Sequence, residues 1–173
     1  MKTLTKFGLL MAVIMIAGTV VALAGDEKAP TVEEQMAGLQ KMCAESATAR
    51  AERQEAVPLY DRLGGYDKIH AMVEEVIRLH GENDQIKRTM EGVDREKLAD
   101  HLTDFISAGT GGDAEYTGRN MYDSHAHLEL TDADFLAAGG DIMQAMNSMD
   151  YGQEEIEEFV CILVSMKDAV VFK

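Results

Sequence analysis

Residues 118–130 read GRNMYDSHAHLEL and carry two of the chain's five histidines, His125 and His127. The two stand two positions apart, so on a helix they point about 200° from one another and cannot serve one site from the same face. A short helix beginning near Arg119 puts Met121, His125 and Leu128 on one face at i, i+4 and i+7, and leaves His127 beside Asp123 on the other. His125 is then the inward imidazole, and His127 is most simply a solvated side chain. No Asp, Glu, His or Cys shares the inward face to complete a zinc set.

Outward from this segment the pattern is helical in both directions. Tyr66–Gly81 places Ile69, Met72, Val73, Val76 and His80 on one face, and a short helix covers Asp84–Met90. Asp94 caps a helix through Ile106 whose inward face is Leu98, His101, Leu102 and Phe105. Thr131 caps the next, with Phe135, Ala138, Ile142, Met146 and Met149 inward. The last runs from Gln153 to about Phe172 through Ile156, Phe159, Val160, Leu163 and Val164. There is no alternating strand pattern of useful length and no internal repeat, so the fold class is all-α. Glycine-rich breaks at residues 64–65, 109–112 and 118 provide left-handed turns that stop helices. They leave residues 107–120 irregular, and something other than helix packing must hold that stretch.

His101 lies three residues after Leu98 and four before Phe105, so its ring faces inward with them. Burying an imidazole without a partner costs on the order of 1–3 kcal/mol. His101 therefore has a hydrogen bond to a core carbonyl, a metal or a ligand, and the residues alone leave these open. His80 shares a face with Val73 and Val76 but stands at a helix end, where a histidine more often caps carbonyls. One inward histidine per helix in apolar company suits a haem: a single imidazole takes one axial position, the macrocycle supplies four ligands, and His101 is available for the sixth.

Four blocks carry a broader resemblance: LYDRLGGYDKI, GVDREKLADHLTDFISAGTGG, YTGRNMYDSHAHL and LTDADFLAA. In order and spacing, over roughly residues 58–172, they resemble the group I truncated haemoglobins. The resemblance implies a two-over-two helical globin fold with a non-covalent b-type haem. The His of the M-x-x-x-H-x-x-L block, spanning Met121 to Leu128, is the family's proximal iron ligand, which makes that ligand His125. The loop before it is stabilised in the family by glycine motifs and by the haem, so folding is expected to depend partly on the haem.

The distal side departs from the family pattern. The usual Phe-Tyr pair, whose hydroxyl serves the bound gas, corresponds to Val76 and Ile77; the usual Gln corresponds to Leu98; the usual Phe-Phe corresponds to Thr89 and Met90. The distal wall reads Ile77, Met90, Leu98 and His101. Either His101 ligates the iron directly, the favoured reading, or it is the one donor to an exogenous ligand. Met90 as an axial thioether ranks below it. Phe105 and Phe135 lie where the family packs rings on the porphyrin, although ordinary core explains them equally. Lys97 reaches a propionate or is a solvated helix charge.

The N-terminus sets the expected location. Lys2 and Lys6 precede an apolar run from Phe7 to Val21 and then Ala22-Leu23-Ala24. That is the layout of a secretory signal, 1–24, cut before Gly25. Pro30 and Pro58 bracket a helical extension, 25–57, opening on a Thr31–Glu34 capping box, ahead of the globin domain at 58–173. The extension either packs on that domain or serves as a spacer. Cys43 and Cys161 either pair in an oxidising compartment or remain apart, Cys161 as a buried thiol.

The formal net charge is −15; cleavage removes two lysines and no acid, −15 − 2 = −17. Such a surface repels nucleic acid and anionic lipid, so neither nucleic acid nor, after cleavage, a membrane is an expected partner. It suits solubility or a basic redox partner. Three functions are compatible with these residues: a secreted haem protein binding oxygen or nitric oxide, a bis-histidine electron-transfer protein, and a haem-free globin shell used as a binding module. No acid–base pair or nucleophile stands beside the expected iron, so no reaction is assigned.

Overall fold

The computed structural model describes residues 28–173. The signal-peptide reading of residues 1–24 and its cleavage position lie outside them. Every regular element among the described residues is helical, as the periodicity predicts, and no helix there is long and apolar enough to cross a membrane.

The extension forms α1, Val32–Glu45, and α2, Ala47–Ala56. The capping box is present: Thr31 Oγ1 accepts from Glu34 N at 3.2 Å, and the Glu34 carboxylate accepts from Thr31 N at 2.7 Å. Met36 is buried, and Leu39 and Met42 pack against the main core. The extension is therefore part of the folded body rather than a spacer. Three further ties fix it. A disulfide joins Cys43 to Cys161 across 118 positions of sequence. Arg53 Nε lies 3.5 Å from Glu158 Oε2. Gln54 accepts from Leu59 N at 2.8 Å and donates to Thr110 O at 3.3 Å.

After Pro58 comes α3, Leu59–Arg62. Gly64 and Gly65 then turn the chain at φ +91° and +78°, a region where a Cβ is strained. This launches α4, Gly65–Glu82. Where the spacing predicts a helix over Asp84–Met90, only Lys87–Met90 forms a 3₁₀ turn. The Asn83 carbonyl accepts from both Ile86 N and Lys87 N, and its side-chain oxygen accepts from Gln85 N. Asn83 thus closes a tight turn ahead of the 3₁₀ segment with both its carbonyl and its side-chain oxygen.

Helix α5 spans Arg95–Thr110, capped by Asp94 as expected, and runs four residues past the predicted end. Gly109 falls inside its last turn and Gly111, at φ +107°, ends it. The irregular stretch is correspondingly shorter. The buried stripe of α5 is Ala99, Thr103, Ser107 and Thr110 rather than the predicted apolar face. These small side chains allow close approach to α4, and Thr103 and Thr110 satisfy their hydroxyls on the carbonyls of Ala99 and Ile106.

Helix α6, Met121–His125, is capped by Asn120 and passes into a 3₁₀ turn at Ala126–Leu128. Helix α7 spans Asp132–Ser148 behind a Thr131 capping box. Helix α8, Gln153–Met166, stops six residues short of the predicted end, giving way to a 3₁₀ turn at Lys167–Ala169. Beyond that turn the chain crosses to the start of α7, where Phe172 N donates to Leu130 O at 3.0 Å.

The layers are α4–α5 and α7–α8, with α4 packed on α7, and α1 laid on the far side against α8 and α7. Leu63, Ile69, Met72 and Met146 are fully enclosed between them. Tyr151 donates its hydroxyl to Leu63 O at 3.0 Å, stitching the α7–α8 turn to the α3–α4 turn, and burial pushes its phenol up to about 12. Three buried carboxylates lock helix junctions. Asp134 accepts from Arg88, Gln85 and Thr131, and the Arg88 guanidinium foremost holds its carboxyl well below the usual range. Glu158 accepts from Arg62 at 2.8 Å. Asp141 pairs with His80 Nδ1 at 2.9 Å and accepts from Asn83. His80 is thus held by a carboxylate of α7 and caps no carbonyl, because α4 packs on α7 at that point. Burial draws its imidazole below the ordinary value, with Asp141 opposing.

Candidate functional site

Helix α6 is little more than one turn, too short to persist alone, so its surroundings determine where His125 points. Asn120 Oδ1 accepts from Asp123 N at 2.8 Å and Asn120 Nδ2 donates to the Asp123 carboxylate at 2.8 Å. The cap fixes the first turn. The preceding loop is held by Tyr116, whose ring meets Phe105 edge-on at 5.1 Å and whose hydroxyl donates to Arg119 O at 2.6 Å. Burial raises that phenol above its ordinary value. At the other end of the loop, Gly112 N donates to Ser107 O at 2.8 Å. A backbone bond at one end and the Tyr116 and Asn120 side chains at the other therefore hold this stretch.

Within α6, Met121, His125 and Leu128 are half-buried while Asp123 and His127 are exposed, as the spacing predicts. His125 Nδ1 lies 2.8 Å from Met121 O. A carbonyl only accepts, so Nδ1 carries the proton and donates, and Nε2 bears the lone pair. No hydrogen bond from the described residues reaches Nε2. An imidazole so arranged is oriented and pre-set in the tautomer that ligates through Nε2.

On α5, His101 is half-buried, as are Leu98, Leu102 and Phe105, and no described group hydrogen-bonds to its ring. The bond to a core carbonyl that the residues left open is not formed. Ile77 and Met90 are buried members of the main core cluster, and Leu98 is half-buried against that cluster. Phe105 and Phe135 are half-buried on α5 and α7 and belong to neither buried cluster. Lys97 is exposed, its backbone N donating to the Asp94 cap.

Sequence reasoning missed Tyr116 and Asn120. The Asn120-x-x-Asp123 spacing is a helix-start signature that identifies the cap; nothing local marks Tyr116, whose contacts follow from the loop's path. Among the described residues no three His, Cys, Asp or Glu side chains group as ligands for a metal ion. The donor set is instead one oriented imidazole with apolar neighbours and a second imidazole without a partner. Those residues fit a flat, largely apolar macrocycle that brings its own equatorial ligands.

Comparison with known proteins agrees. Among similar curated proteins, the Group 1 truncated hemoglobin of Nostoc sp. (strain MUN 8820) is 28% identical over 115 residues, covering 66% of this chain and 98% of that protein. The Group 1 truncated hemoglobin of Mycolicibacterium paratuberculosis is 25% identical over 112 residues, covering 65% and 82%. The truncated hemoglobin of Tetrahymena pyriformis in its Fe(III) form superposes with a TM-score of 0.63 at 20% identity, over 67% of this chain and 99% of that one. The 2/2 hemoglobin of Synechococcus sp. PCC 7002, in the cyanomet state with covalently attached heme, gives 0.63 at 26% identity, over 66% and 98%. Residues 58–172 match the bacterial-like globin family. By that match and by its helical layers, the chain belongs to the bacterial-like globins, in their truncated two-over-two form.

Proposed function

We propose that this chain is an exported globin that holds haem b non-covalently, with His125 Nε2 as the proximal ligand and His101 on the opposite face. The observation that carries the reading is the 2.8 Å bond from His125 Nδ1–H to Met121 O, which sets the ring's rotation and tautomer and leaves Nε2 for a metal. When bound, the haem supplies an iron able to take a diatomic gas, oxygen or nitric oxide, or to exchange an electron. Leu98, Met121, Phe105 and Phe135 supply the apolar lining that excludes water. Ile77, Met90 and Leu98 carry no hydrogen-bond donor, so His101 alone in that set can donate to a gas or ligate. Lys97, exposed beside Leu98, offers its ammonium to a propionate.

A second reading, bis-histidine electron transfer with a basic redox partner, is favoured by that donor-poor wall and by the unpartnered ring of His101. The ferrous absorption spectrum of the haem-loaded protein separates the two. Ligation by His101 predicts a low-spin six-coordinate spectrum that becomes five-coordinate in His101→Leu. A five-coordinate wild type instead assigns His101 as donor to a gas, and protein without a Soret band after incubation with hemin contradicts both.

Attachment is tested on the same sample, because the Synechococcus relative's haem is described as covalently attached. Non-covalent haem leaves completely in acidified butanone; haem retained by the polypeptide overturns that part. Export is supported by the leader-like residues 1–24 and by the Cys43–Cys161 disulfide, a bond typical of oxidising compartments. Expression of the full chain should yield periplasmic protein beginning at Gly25, and an intact N-terminus in the cytoplasm would argue the reverse.

A further inference from the structure

The tail beyond α8 does work that the haem reading does not assign. Tyr122, three residues before His125, is 58% exposed, and Phe172 is 37% exposed. Their rings meet edge-on at 5.2 Å and 82°, so two exposed aromatics are spent on each other on the outer side of α6. The backbone of the tail closes the same contact. Phe172 N and Lys173 N both donate to Leu130 O, at 3.0 and 3.3 Å. Lys173 Nζ pairs with Glu129, which holds a left-handed φ of +49° just after the 3₁₀ turn. Lys167 Nζ, at the start of the tail, reaches Asp132 Oδ1 at 2.8 Å.

We propose that residues 170–173 are a strap that positions the His125 imidazole, with Phe172 as the positioning residue acting through Tyr122; this rests on the haem reading above. The physical need is plain. A five-residue helix has almost no stability of its own, yet it must hold one ring nitrogen in a fixed direction. The Asn120 cap and Tyr116 fix its entry, and the tail fixes its exit and outer face. Phe172 reaches α6 through Tyr122, one helical turn before His125, so its removal loosens the turn that carries the imidazole without touching the ring itself.

The test uses the haem-loaded full chain in a His101→Leu background, so that the ferrous iron is five-coordinate. Phe172→Ala should shift the iron–histidine stretching band to lower frequency and broaden it. It should also speed haem transfer to excess apomyoglobin about tenfold, the scale seen when a second-shell partner of a metal-bound histidine is lost. Phe172→Tyr keeps the ring edge and should restore both values. In the apo protein, Phe172→Ala should speed hydrogen exchange of the amides of residues 121–128 while leaving α4 and α8 protected. A haem-loaded parent whose band and transfer rate are unchanged by Phe172→Ala overturns the strap and leaves the haem reading standing. A parent that takes up no haem overturns both.

Discussion

The Nδ1 atom of His125 has one acceptor, Met121 O, and that bond decides what the ring's other nitrogen is free to do. That His125 and not His127 faces inward follows from a two-residue offset, which helical geometry converts into opposite faces. The buried carboxylates were not legible in the same way. Nothing near Asp134 or Asp141 in sequence marks them as buried; partners such as Arg88, Gln85, His80 and Asn83, arriving from elsewhere in the chain, make their burial tolerable. Asp134 yields a pH prediction. Its folded-state carboxyl is depressed, so its contribution to stability is complete above the ordinary carboxylate range, near pH 4, and is lost as pH falls through the lower folded value. Asp134→Asn should cost about 2 kcal/mol at pH 7 in urea unfolding. That gap should narrow steadily below about pH 4, and a gap unchanged down to pH 3 would remove Asp134 from the account of stability.

At the scale of elements, capped starts were readable and helix ends were not. Thr31, Asp94 and Thr131 each announce a first turn by side-chain chemistry that acts within three residues. The path of the chain after α8 depends on a distant acceptor, Leu130 O, and the inward face of α5 depends on how closely α4 approaches its small side chains. The extension was open between spacer and packed helix because its apolar stripe is short. The disulfide and the Arg53 and Gln54 ties settle it. A disulfide typically contributes about 2–4 kcal/mol, and closing a loop this long puts it at or above the top of that range. Cys43→Ser, or reduction of the wild type, should lower the denaturation midpoint accordingly and leave helix content at 20 °C unchanged; an unaltered midpoint would show that the other ties suffice.

For the molecule as a whole, the two layers and the bracing helix put the rigid material around Leu63, Met72 and Met146, away from α6. The segment bearing His125 is held by a cap, a tyrosine and the tail rather than by the core, which makes it the part most responsive to what His125 binds. The order of the four motif blocks made this architecture legible from sequence. The same blocks could not reveal the tail contact or the third layer, since both lie outside the resemblance or at its last residues.

The proposed function depends on one coordinate bond, from His125 Nε2 to a haem iron, and cavity complementation measures it most directly. Haem affinity of His125→Gly should fall by more than the roughly 10–100-fold typical of a lost second-shell partner, and added free imidazole should restore both loading and the wild-type Soret spectrum. Wild-type affinity and spectrum in His125→Gly without imidazole would place the proximal bond elsewhere.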